Sequence, residues 1–271
     1  MQHDPIITMS IHQKLKHVPL AHASRKRKPS ILRVAAIALG CGLLSLGCSH
    51  SAQPEPEWKT TETGRIRYLH HQPVTAATQH VILAHGFLRT AGTMEHLGKA
   101  LAERGIETAC IELRHSRPWS GNHAENARDM IALRKALGWE KVIYAGFSAG
   151  GLSALLAAAD DPACTKLVLL DPVDSGTLGT DGAPKVRVPT LAILGKPGPG
   201  NANRNATPML KAIPRCQIVE LPEATHCDFE ARPSELCYRL TGGKPDPARV
   251  LGIHAAIIRE SRTFLSAPTK P

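Results

Sequence analysis

The chain has 271 residues, 42% hydrophobic and 21% charged, which suits one large α/β domain or two small ones and excludes fibrous, repeat and coiled-coil proteins. Its formal charge of +10 is concentrated at the front: residues 1–48 hold seven Lys/Arg against one acid, leaving 26 basic against 22 acidic residues, or +4, for the rest. A body so close to neutral carries no nucleic-acid footprint, so nucleic acid is not an expected partner.

The chain opens with the layout of an export signal. Arg25-Lys26-Arg27-Lys28 precedes Val34–Leu46, an uncharged run of thirteen residues, and then the small-residue site Gly47-Cys48. That run falls short of the ~20 residues needed to span a bilayer. Gly47-Cys48 resembles a bacterial lipoprotein box, which implies an acylated Cys48 as the new N-terminus and a membrane anchor. Cys41 is a weaker candidate, and plain cleavage to a periplasmic protein is the alternative. We therefore expect a signal over 1–48, a linker over 49–59 containing Pro54 and Pro56, and one domain over 60–271.

Within the domain, strand and helix patterns alternate. Ile66–Leu69 is a short strand candidate, and His80–Ala84 is apolar throughout, as a strand buried on both faces should be. A helix is expected over 91–104, a strand over 106–111, a polar loop with Arg114, His115, Arg117, Trp119 and Asn122, and a helix over 124–137. Strands follow at 141–145, 166–170, 189–194 and 217–221, with helices after Ser148, around 208–212 and over 247–264. This alternation predicts a mostly parallel twisted sheet with helices on both faces. His70-His71, in an edge segment, is expected to be solvated. Beyond Cys48 there are five cysteines; Cys227 and Cys237 flank one loop and are the first pair to expect in an oxidising compartment. No Cys-x-x-Cys or His/Cys cluster argues for a metal or cofactor.

Gly146-Phe147-Ser148-Ala149-Gly150 joins a strand to a helix. A serine on so sharp a turn has its hydroxyl pushed out at the top of the sheet, and its neighbours two residues away must be nearly free of side chain. Ser148 is the candidate nucleophile. It needs a base, and the base needs a third group to hold its tautomer. His226 lies in the loop after the last strand, at the same carboxyl-end rim, and is the candidate base ahead of His85, His96, His115 and His123. For the acid, the loop 195–201 contains no carboxylate, whereas Leu170-Asp171-Pro172-Val173-Asp174 offers two. Asp171, at the strand end, is preferred; Asp174 is the alternative. The oxyanion donors expected are the backbone N–H groups of Ala149 and Phe87.

His85-Gly86-Phe87, Gly146–Gly151, Leu170–Asp174 and Thr225-His226-Cys227-Asp228-Phe229 together resemble the α/β-hydrolase superfamily, over about residues 60–266. The Asp-Pro-Val and the double glycine after the serine are similar to chlorophyllases and platelet-activating-factor acetylhydrolases, although Phe147 stands where those enzymes commonly carry a histidine. The resemblance implies an α/β-hydrolase fold and a serine esterase or lipase-like enzyme that cleaves small or lipid-like carboxylic esters without a metal. Acyl transfer by the same residues and a non-catalytic envelope lipoprotein are the alternatives. The segment between Asp171 and Pro189 is too short for a cap domain. An open cleft is therefore expected, shaped by residues 112–123, 172–188 and 196–207.

Overall fold

The computed structural model describes residues 55–115 and 122–268. The signal, Cys48, most of the linker, Arg117 and Trp119 lie outside the described residues.

Eight strands form one sheet in the order β1-β2-β4-β3-β5-β6-β7-β8: β1 Glu57–Thr61, β2 Gly64–His71, β3 Gln79–Ala84, β4 Ile106–Ile111, β5 Val142–Phe147, β6 Cys164–Leu170, β7 Thr190–Leu194 and β8 Cys216–Glu220. β1 and β2 form an antiparallel hairpin that joins β4 antiparallel; β3 to β8 run parallel. The helices are α1 Glu95–Ala102, α2 His123–Ala136, α3 Ala149–Asp160, α4 Leu178–Gly182, α5 Thr207–Ala212, α6 Glu235–Thr241 and α7 Pro247–Ser266.

Period-2 alternation of the central strands divides the core into two layers. Ile82, Tyr144, Leu167 and Leu169 pack with α2, α3 and α5 on one face. Val81, Leu83, Ile143, Val168 and Leu170 pack with α1 and α7 on the other. Each fully buried aliphatic or aromatic side chain contributes roughly 1.5–3 kcal/mol. Lys166 interrupts the apolar run of β6: its Nζ donates to the carbonyls of Phe264, Leu265 and Ala267 at 3.0, 2.7 and 2.6 Å, capping the C-terminal end of α7 against the sheet.

Four expectations need correction. β1 begins at Glu57, so residues 57–59 belong to the sheet and not to a linker. It escaped notice because Glu57-Trp58-Lys59-Thr60-Thr61 is a polar edge strand with no apolar face to read. His70 is not solvated: its side chain is 8% exposed and lies between Glu57 and Glu107. His71 is buried against Gly98 of α1. The stretch expected as one helix over 91–104 is a 3-10 turn, Ala91–Met94, followed by α1. Helices α4 and α6 were not anticipated, both being short. Between β6 and β7 only α4 and a 3-10 turn intervene, so there is no cap domain there. The Cys227–Cys237 disulfide is present, and Cys110, Cys164 and Cys216 are free thiols.

Candidate active site

Ser148 sits between β5 and α3 with φ 54° and ψ −123°, a strained backbone for a residue with a side chain. The strain is enforced by packing. A Cβ on Gly146 would lie 2.2 Å from the carbonyl oxygen of Gly150, and one on Gly150 would lie 2.2 Å from that of His85. Only glycine lets the strand, the helix and the β3 turn approach this closely.

His226 reaches Ser148 from the loop after β8. Its Nε2 is 3.0 Å from Ser148 Oγ, and its Nδ1 is 2.6 Å from Asp171 Oδ2. An ionised carboxylate only accepts, so Nδ1–H donates to Asp171 and Nε2 is left to accept from the serine hydroxyl. The ring rests on Phe147, with centroids 4.6 Å apart, and Phe147 in turn stacks on Phe229 at 6.0 Å.

Asp171 is 1% exposed and also has a positive φ, 40°. Its Oδ1 accepts from Gly195 N at 3.0 Å and from Asn201 Nδ2 at 3.1 Å. Asn201 is buried, and its Oδ1 accepts from the amides of Gly198 and Arg204. It was missed in the sequence. The one available signal is that the loop 195–201 contains no carboxylate and carries an amide instead. Asp174 points elsewhere: it accepts from the amides of Ser175, Gly179 and Thr180 and from the Thr180 hydroxyl, shaping the loop into α4.

The loop carrying His226 is tied down beneath. Asp228 is fully buried, accepts from Thr225 N at 2.7 Å and Tyr238 Oη at 2.6 Å, and takes both Nε and Nη2 of Arg249. Burial works to raise its pKa, but Arg249, Tyr238 and Thr225 outweigh that and hold it below the usual carboxylate value. The Cys227–Cys237 disulfide joins the same loop to α6.

The turn after β3 closes the opposite side. A Cβ on Gly86 would be 3.2 Å from Ser148 Cβ, so the Phe87 amide lies in the turn next to the serine, and Ala149 N is the first amide of α3. Phe87 and Leu88 are 42% and 54% exposed, apolar residues in that turn. His85 is fully buried and serves the turn: Nδ1–H donates to Gly86 O at 2.8 Å, and Nε2 accepts from Leu113 N at 3.0 Å. Burial lowers its pKa, with the Gly86 hydrogen bond and Glu112 opposing. His96 stacks on His254 at 4.0 Å on the other face of the sheet, and His123 opens α2 near the Ala149 backbone. Neither bonds to Ser148.

A cavity of about 120 Å³ lined by residues 196–201, Thr225, His226 and Thr241–Gly243 adjoins the imidazole. A larger cleft, about 530 Å³ between β2 and the 90–95 segment, contains none of Ser148, Asp171 or His226. Among the described residues no group of three or more His, Cys, Asp or Glu side chains is arranged to hold a metal. Chemically, the site presents a hydroxyl, an imidazole whose Nε2 faces that hydroxyl, a buried carboxylate and backbone amides beside the hydroxyl.

Residues 79–191 match the family model described as the alpha/beta hydrolase fold. The structure resembles Est1E from Butyrivibrio proteoclasticus, with TM-score 0.59 and 14% identity over 78% of this chain and 99% of that one. It also resembles a dienelactone hydrolase from Anabaena variabilis, with TM-score 0.58 and 20% identity over 76% and 96%. A third is a thermophilic esterase from Thermogutta terrifontis, with TM-score 0.56 and 18% identity over 77% and 98%. No curated protein sequence matches. The chain has the α/β-hydrolase fold.

Proposed function

We propose that this chain is a serine hydrolase that cleaves carboxylic esters through an acyl-enzyme on Ser148. The observation that carries the reading is the hydrogen-bonded chain from Asp171 through His226 to Ser148 on a strained strand-to-helix turn. His226 Nε2 takes the hydroxyl proton as Oγ attacks the ester carbonyl carbon. The carbonyl oxygen becomes an oxyanion, for which the Phe87 and Ala149 amides are the donors; losing such a donor typically costs ~3 kcal/mol in barrier. The imidazolium, held by Asp171, then protonates the departing alkoxide. Water repeats the sequence on the acyl-enzyme, with His226 again as base, and releases the acid.

The exposed Phe87 and Leu88 and the lack of a cap between β6 and β7 favour small or surface-presented esters. The Asp171-Pro172-Val173 and Gly150-Gly151 motifs favour a branch near chlorophyllases and platelet-activating-factor acetylhydrolases. Cys48 is the proposed lipid attachment site, placing the enzyme in the cell envelope; mass spectrometry of the mature N-terminus should find a diacylglyceryl-modified Cys48, and a free amine elsewhere would refute it. The activity itself is tested with a panel of p-nitrophenyl esters. Wild type should hydrolyse the short-chain members, and Ser148→Ala should lose at least ~10³-fold in kcat with an unchanged unfolding transition.

A further inference from the structure

We propose that Arg89 and Glu230 are a positioning pair that locks the oxyanion-donor turn to the loop of the catalytic base and sets a second negative charge near His226; the inference rests on the reading of Ser148 and His226 just given. Arg89 closes the turn containing Phe87, its N–H donating to Gly86 O at 3.2 Å. Its Nε donates to Glu230 Oε1 at 2.6 Å. Glu230 stands four residues beyond His226 and is 3% exposed.

The pair is the centre of a seam. Beside it, Ala231 N donates to Thr93 O at 2.7 Å, and Arg232 pairs with Glu95. The two loops that must converge on one carbonyl oxygen and one hydroxyl proton are thereby fixed to each other directly, and not only through the sheet. From below, Glu230 O accepts from His254 Nε2 at 2.9 Å, which fixes the backbone that carries the carboxylate.

A buried carboxylate is expensive unless it has a use. Glu230 lies four residues from His226 in the same loop, which puts it within electrostatic reach of the imidazole; burial raises its pKa, while Arg89 and the charge on His226 oppose the rise. When His226 becomes cationic during attack, that reach stabilises it, adding to the direct bond from Asp171. Two further charged groups near His226 are Lys196, which lines the adjoining cavity, and Asp228, two residues on and paired with Arg249.

The test uses the full chain and a short-chain p-nitrophenyl ester, with kcat and KM measured across pH. Glu230→Gln should lower kcat by about tenfold with KM changed less than about twofold. It should also move the acid limb of kcat/KM to lower pH by about half a unit, because a negative charge that favours the protonated base has gone. A merely structural residue would not move that limb. Should Glu230→Gln fail to fold, Arg89→Gln, a change at a partly exposed side chain, should move the limb the other way, to higher pH. Arg89→Lys should restore part of kcat. An unmoved limb with kcat within twofold of wild type overturns the pair. A wild type no more active than Ser148→Ala overturns the esterase reading, and the pair with it, and is told apart by the wild-type rate alone.

Discussion

Asp171 and Asp174 are three residues apart, both buried, and tied to different things. Asp171 holds His226 and is held by Asn201 and Gly195; Asp174 organises four donors at the start of α4. Asp171→Asn should therefore cut kcat by up to ~10⁴-fold with little change in stability, because an amide can donate to Nδ1 and favours the wrong tautomer. Asp174→Asn should do the reverse, losing about 1–3 kcal/mol of stability on denaturant unfolding while kcat stays within about tenfold. Kinetics and denaturation on the two variants decide it, and a swap of the two outcomes would transfer the role to Asp174. At this scale the sequence marks the loops at strand ends, and Ser148, Asp171 and His226, read from there, come within hydrogen-bond reach of one another. It said little about groups that act through another residue. Asn201 and Glu230 follow no motif; each matters only because the fold brings it against Asp171 or Arg89.

The helices α1 and α7 meet through an unusual contact. His96 and His254 stack with centroids 4.0 Å apart, and both ring nitrogens of His96 are buried without a partner. Burial, with His254 adding a smaller effect, lowers the His96 pKa to about 3, against an unfolded value of about 6.5. A depressed histidine means the unfolded chain binds the proton first. Stability is then complete above about pH 6.5 and falls as pH drops towards 3, by up to ~1.4 kcal/mol per unit for the one proton. Urea unfolding across this range should show a steeper loss in wild type than in His96→Phe; equal slopes would refute the assignment. The element pattern is legible where strands carry an apolar run, as β3, β5, β6 and β7 do, and β4 and the edge strand β8 also fall within a residue of their expected bounds. β1, α4 and α6 were not, since a polar edge strand and helices of one or two turns have no periodicity long enough to register. His70-His71 misled for the same reason. An edge segment invites a solvated reading until β1, which its sequence does not reveal, and α1 cover it.

At the level of the whole molecule, the sheet brings residues 148, 171 and 226 to one rim from the segments after β5, β6 and β8, and an apolar layer packs against each face of that sheet. Lys166 fixes the last helix to β6, the disulfide and Asp228 hold the His226 loop, and the Arg89–Glu230 seam joins that loop to the turn before α1. The account stands on Ser148 being an activated hydroxyl and not a buried polar group. Labelling the folded protein with a fluorophosphonate probe and mapping the modified peptide tests this most directly. The account predicts a single adduct on Ser148, formed at a rate that Asp171→Asn lowers and His226→Ala abolishes. No adduct on the native protein, or equal labelling of Ser148→Ala, would contradict it.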